Sequence, residues 1–310
     1  MARPAASGRA MPSPELMDRL STMRFVPPGA RATTGVGERA SRTSGPGMEF
    51  ADFRTYRAGD DLRHVDPRSI ARGDPFTRKY VQRRQFVVTI VLDLTASMMV
   101  QPDTKAALAT GVARALGFVA LSGQDKVRLV VLEGENGIRR SPLWQGRTRA
   151  PDMFAFAEPQ IEAPRDREDA SKRDASASLA AALTELIPSS DAGSLIFIVS
   201  DFWEADVAVA LASLASTPAT VTALHVLSAS ERDPSSLGQG IIRLVDAETG
   251  RERDMTIDET TLTGYRAALG RHTDTLVESL SGWNVFLPVD AEAQLSDVCL
   301  ERLPVAGVIA

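Results

Sequence analysis

Asp93, Thr95 and Ser97 stand at alternate positions directly after a run of β-branched residues, Phe86-Val87-Val88-Thr89-Ile90-Val91-Leu92. One carboxylate and two hydroxyls spaced this way supply small oxygen donors, the ligand type that suits a hard divalent cation such as Mg2+. The other reading is structural: Asp93 caps a turn, and the hydroxyls cap the helix that follows. A second apolar run, Ser194-Leu195-Ile196-Phe197-Ile198-Val199-Ser200, also ends on a carboxylate, Asp201. Runs of this kind read as strands covered on both faces, and ligands collect outside the carboxyl ends of such strands. Neighbouring strand ends lie ~5 Å apart, close enough for two carboxylates to face one site.

The elements that must position these residues follow in a regular alternation. Thr104 onward carries a helical stripe of Leu108, Val112, Leu116 and Val119, with Asp103 or Thr104 as its cap. Residues 127–132 read as a strand, residues 134–148 as a hairpin strand with loops, and Met153 to Phe156 as a short helix. Ser176 to Ile187 reads as a helix, and another begins near Val207. Val221 to Leu227 is a further strand, 241–257 a hairpin turning at Thr249-Gly250, and Leu262 to Leu280 a long helix. A last strand over 283–288 and a closing helix over 295–303 complete the chain. Alternation of this sort predicts an α/β fold, a doubly wound and mostly parallel sheet with a small β-hairpin insertion.

Upstream the composition changes twice. Residues 1–47 are rich in Gly, Pro, Ser, Ala and Arg, with one amphipathic helix between Pro14 and Phe25 followed by a flexible linker. Residues 48–84 interleave acids, arginines and aromatics: Arg54, Tyr56, Arg57, Asp60, Asp61, Arg63 and Asp66 among them. Guanidinium and carboxylate pair in a two-pronged geometry, so this segment reads as an ordered arm anchored by Phe50, Phe53, Tyr56 and Val65. Its acids offset its arginines, which argues against a nucleic-acid surface. Residues 85–310 form the main domain.

Across 310 residues, 44% hydrophobic and 24% charged content is ordinary for a globular protein with a full core. A net charge of −5 gives no whole-chain attraction to nucleic acid. With Cys299 as the only cysteine there is no internal disulfide and no cysteine-based zinc site. No integral membrane segment and no secretory signal are expected, so the expected location is cytoplasmic. His64, His225 and His272 have no mutual metal-ligand spacing, and no glycine-rich phosphate loop is present.

The arm, read as Glu49 through Asp66 and then Ala71-Arg72, resembles the signature of the bacterial domain of unknown function 58 family. Asp93-Leu94-Thr95-Ala96-Ser97 and Ser200-Asp201-Phe202 resemble a von Willebrand factor A-like domain with its metal-ion-dependent adhesion site. The likeness extends from about residue 35 to the end and takes in Asp125-Lys126-Val127. It implies Mg2+ held by Asp93, Thr95, Ser97 and Asp201, and partnership with a MoxR-type AAA+ ATPase as a chaperone-like adaptor. Three positions depart from the pattern. Pro67 replaces an aromatic residue, Thr95 replaces Ser, and Ala177 stands where a threonine belongs, flanked by Ser176 and Ser178 as substitute donors. A degenerate site is therefore expected. The readings are a non-enzymatic protein-interaction adaptor, a metal-dependent hydrolase or phosphotransferase using Asp93 and Asp201, and a metal-free docking module that uses the arm.

Overall fold

A computed structural model describes residues 10–26, 48–56, 65, 76–82, 85–100, 102–134, 137–159, 178–238 and 240–310. The chain divides into two compact units, Met1–Thr34 with Phe86–Ala310, and Gly35–Gln85. Among the described residues of the smaller unit, β1 (Met48–Thr55) and β2 (Phe76–Gln82) pair as an antiparallel ribbon with an irregularity between Phe50 and Asp52. Arg54 lies opposite Thr77 in that ribbon, Val65 is buried and Tyr56 half-buried. Arg57, Asp60, Asp61, Arg63 and Asp66 lie outside the described residues, as does Ser176.

The larger unit is built on a seven-stranded sheet. Its parallel core comprises β3 (Val87–Asp93), β4 (Lys126–Leu132), β7 (Ser194–Ser200), β8 (Thr220–Leu227) and β11 (Val285–Asp290), in the order β11-β8-β7-β3-β4. Two short strands, β5 (Ile138–Arg140) and β6 (Trp144–Gln145), lie antiparallel to β4. Every residue of β7 and of β8 is buried, as expected of strands covered on both faces.

Successive residues of a strand face opposite sides, and β3 shows it directly. Val88, Ile90 and Leu92 enter one core, and Val91 enters the other. The first core is closed by α1 (Pro14–Thr22), α3 (Ala107–Ser122), α4 (Ala150–Phe156) and the C-terminal segment. The second is closed by α5 (Leu179–Leu186), α6 (Val207–Ala215) and Leu276 from α7 (Glu259–Glu278). The fold is therefore mixed α/β, with a mostly parallel sheet between two helical layers.

The helix α3 differs from its expected single stripe. It is apolar and buried nearly all round, as a helix in the centre of a domain must be. The stretch Thr104–Ser122 is long and apolar enough to cross a membrane by length and composition, although no such run was anticipated; 94% of it is enclosed by the protein. The residue at the start of α3 is Ala106, which offers no side-chain cap, and not Asp103 or Thr104. A π-helical turn, Pro102–Ala106, runs straight into α3, and the short helix α2 (Ala96–Met99) precedes it in the chain.

The N-terminal helix is integral to this unit. Ser13 caps it by accepting from the Leu16 N–H at 3.2 Å, and Leu16 and Leu20 are buried in the first core. Beyond it, Phe25 bridges Ile309, so the two ends of the unit are joined. The hairpin of β9 (Gly240–Val245) and β10 (Glu252–Ile257) stands on the surface, with Ile241 and Val245 exposed.

Candidate functional site

Strand β3 pairs with β7, and Leu92 lies opposite Val199. The next residue on each strand is therefore Asp93 or Ser200, side by side at the carboxyl edge. The Asp93 carboxylate is 4% exposed and fully hydrogen-bonded. Its Oδ1 accepts from the Thr95 N–H at 3.0 Å and the Thr95 hydroxyl at 2.7 Å, and its Oδ2 accepts from the Ser200 hydroxyl at 2.6 Å. Burial raises the Asp93 carboxyl to about 6, with the negative charge of Asp201 adding to the rise and the Ser200 and Thr95 hydrogen bonds opposing it.

The hydroxyls of Thr95 and Ser97 lie 3.4 Å apart. The Ser97 N–H donates to Glu248 at 2.9 Å, which brings the tip of the β9–β10 hairpin to the rim. Thus Asp93, Thr95, Ser97 and the Ser200-Asp201 pair share one edge of the sheet.

The side chain on Asp201 was not anticipated. Lys105, in the π-turn that leads into α3, is 1% exposed. Its ammonium donates to Asp201 Oδ2 at 2.7 Å, to Glu231 Oε1 at 2.6 Å and to the Ser97 carbonyl at 3.3 Å. Three N–H bonds meet three oxygens, so the ammonium is saturated. Glu231 is itself fixed at the end of β8, where its other oxygen accepts from the Ser228 N–H at 2.8 Å and the Ser228 hydroxyl at 2.9 Å.

Ser178, expected as a substitute metal donor, has its hydroxyl engaged at a helix N-terminus. It caps α5 by accepting from the Ala181 N–H at 3.1 Å, and its hydroxyl donates to Glu204. Glu204 is further bound by the Leu179 N–H at 2.6 Å. Asp201, expected as a metal ligand, is ion-paired with Lys105. As hydrogen-bonded here, the donor set suits an ammonium ion: three of its oxygens converge on one, and the Asp93 oxygens are held by O–H and N–H groups. Among the described residues no group of three or more His, Cys, Asp or Glu side chains is arranged to hold a metal.

Beyond Asp201 the backbone turns sharply. Phe202 has φ of 55°, a left-handed conformation that costs a non-glycine residue about 1–3 kcal/mol. Two contacts hold it there: its N–H donates to the Ser200 hydroxyl at 2.9 Å, and its ring is buried in the second core against His225. The turn sends Trp203 outward, 39% exposed, where its ring stacks on His272 at 5.0 Å and 13°. His225 lies beneath, and burial, with the neighbouring His272, lowers it to about 4. The sequence reading of His225 as a packed strand residue agrees with its place in β8.

Two sequence features find structural work. Asp125, in the Asp125-Lys126-Val127 motif, is buried and accepts from the Phe86 N–H at 2.9 Å, tying the start of β3 to that of β4. Cys299 is buried in the first core, and its thiol is pushed up to about 12. A groove of about 280 Å3 lies elsewhere, lined by Arg128, Arg140, Glu185 and Ser189, and no rim residue lines it.

Lys105, Ser200 and Glu231 were missed as site residues. Ser200 was legible as the partner of Asp201 at a strand end. Lys105 carried no signal, because a lysine in a helical stretch reads as solvated and only the π-turn directs it inward.

Three mycobacterial proteins are similar over 255 residues at 26% identity, covering 79% of this chain and 75% of theirs. They are the uncharacterized proteins Mb1516 of Mycobacterium bovis and MT1527 and Rv1480 of Mycobacterium tuberculosis. Among solved structures, the conserved hypothetical protein BatB from Bacteroides thetaiotaomicron is 16% identical, with a TM-score of 0.42 over 71% of this chain and 98% of that one. The model of the protein family of unknown function DUF58 matches residues 52–275, which takes in the second half of β1, all of β2 and most of the sheet with its rim, and on that match the chain belongs to the DUF58 family.

Proposed function

We propose that this chain is a cytoplasmic, non-enzymatic protein-interaction adaptor with a von Willebrand factor A-like main domain. Its partner is a MoxR-type AAA+ ATPase, docked at the carboxyl edge of the sheet. One observation carries the docking surface: Trp203, exposed yet held by stacking on His272, stands two residues beyond the buried carboxylate Asp201. An aromatic ring with little rotamer freedom left to lose is the kind of anchor that dominates binding energy. The hydrogen-bonded rim beneath gives that anchor a rigid base.

The rim chemistry favours binding over turnover. A carboxylate that already accepts from Thr95 and Ser200, and another paired with Lys105, are poorly placed to attack a substrate.

The test is capture of a purified MoxR-type AAA+ ATPase on the immobilised chain. Trp203→Ala is expected to weaken binding at least tenfold with the melting temperature little changed. Wild-type chain that captures no such ATPase, with and without ATP, overturns the reading. Replacing Arg54, Arg57 and Arg63 together separates a contribution of the arm from that of the rim.

A further inference from the structure

The carboxylate-rich edge of the sheet has a cation problem that the fold itself solves. Asp93 and Asp201 end neighbouring strands, and Glu231 reaches in from beyond the third, β8. All these carboxylates are buried or half-buried, and Asp93 already feels the charge of Asp201. Carboxylates crowded in a low-dielectric place require an opposing charge or must neutralise. Lys105 supplies one. Its Nζ is bound by Asp201 at 2.7 Å, by Glu231 at 2.6 Å and by the Ser97 carbonyl at 3.3 Å, oxygens drawn from behind three adjacent strand ends.

The geometry is that of a ligated cation, with the cation tethered to the chain. The π-turn at Pro102–Ala106 is what aims it, and such turns concentrate where a side chain must be placed with precision. A divalent ion at the same edge would have to displace or repel this ammonium. Mg2+ tolerates little departure from octahedral oxygen geometry, so such rearrangement weighs heavily against it.

We propose that the Lys105 ammonium is the resident cation of this edge, assembling the rim without a metal ion, and that removing it opens a divalent-cation site. The inference does not rest on the adaptor reading, since its measurements involve no partner.

Mn2+ binding to the purified chain, followed by its paramagnetic resonance signal, and thermal melts in Mn2+, Mg2+ or EDTA test it. For the wild-type chain the melts should superimpose and no ion should bind stoichiometrically. In Lys105→Ala, one Mn2+ should bind and raise the melting temperature over that in EDTA, by linkage of binding to folding. Adding Asp201→Asn, which removes a carboxylate that holds the ammonium, to Lys105→Ala should abolish that gain. A stoichiometric Mn2+ on the wild-type chain, lost in Asp93→Asn, overturns the proposal, as does a folded Lys105→Ala chain that takes up no ion. Lys105→Ser serves if the alanine variant does not fold. If neither folds, the wild-type titration decides: bound Mn2+ overturns the proposal and its absence supports it.

Discussion

At the residue scale, the edge of the sheet holds two titrating groups whose effects on stability have opposite signs. His225 is lowered from 6.5 to about 4 because burial disfavours its charged form. Its neutral state therefore contributes stability that is complete above about pH 6.5 and is lost as pH falls through about 4. Asp93 is raised from 3.8 to about 6 by the same burial. Its contribution is complete below about pH 3.8 and is lost as pH rises through about 6. Each is worth on the order of 3 kcal/mol, so the two offset one another across mildly acid pH. His225→Phe should unmask the Asp93 component, since Phe202 and Phe286 already pack against that ring. Urea denaturation of this variant should show stability falling from about pH 4 to about pH 7, more steeply than in the wild-type chain. Parallel profiles for the two chains would refute the compensation.

At the element scale, the rim depends on where α3 stands against the sheet, because the turn before it carries Lys105. That placement needs a close approach at Gly117. A Cβ there would fall 2.6 Å from Met153 Cε and 2.8 Å from its Sδ, and Met153 is fully buried. Gly117→Val should therefore force α3 and α4 apart and cost about 1–3 kcal/mol by denaturant titration, despite valine's better helix propensity than glycine. A change within a few tenths of a kcal/mol would mean that Met153 finds another rotamer at no cost. The hairpin is an element of another kind: exposed along both strands, it contributes Glu248 to the rim but little to either core.

Element positions were largely legible in the sequence, and the exceptions have physical causes. Strand β7, the hairpin and the N-terminal helix fall where period and turn residues put them. The helix expected from Ser176 is described from Leu179, with Ser178 as its cap, because a serine hydroxyl at that position satisfies a free backbone N–H. The start of α3 was misjudged because a π-turn has no sequence period of its own, and nothing in Pro102–Ala106 marks one.

At the scale of the whole molecule, residues 10–26 belong to the main unit and contribute to its core. Leu20 is fully buried in it, Phe25 packs on Phe197 with ring centroids 5.3 Å apart, and the Arg114 guanidinium reaches from α3 to the Ala10 carbonyl at 2.9 Å. Leu20→Ala should cost about 2–5 kcal/mol and lower the melting temperature by roughly 5–15 °C, measured by calorimetry. An unchanged melting temperature would show that the helix docks without stabilising what it covers.

The sequence by itself determined the α/β alternation, the two strand ends that carry Asp93 and Asp201, and the membership signalled by the arm. All of these are local patterns of apolar period, turn residues and motif spacing. Only the tertiary structure decided what lies between those strand ends. Placing the ammonium of Lys105 against Asp201 and Glu231 joins residues separated by 96 and 126 positions, and no local pattern encodes such a contact. Of the two carboxylates that suggest a metal when read along the chain, Asp201 is, once folded, held by a lysine that a π-turn points inward, and Asp93 is held by the Thr95 and Ser200 hydroxyls.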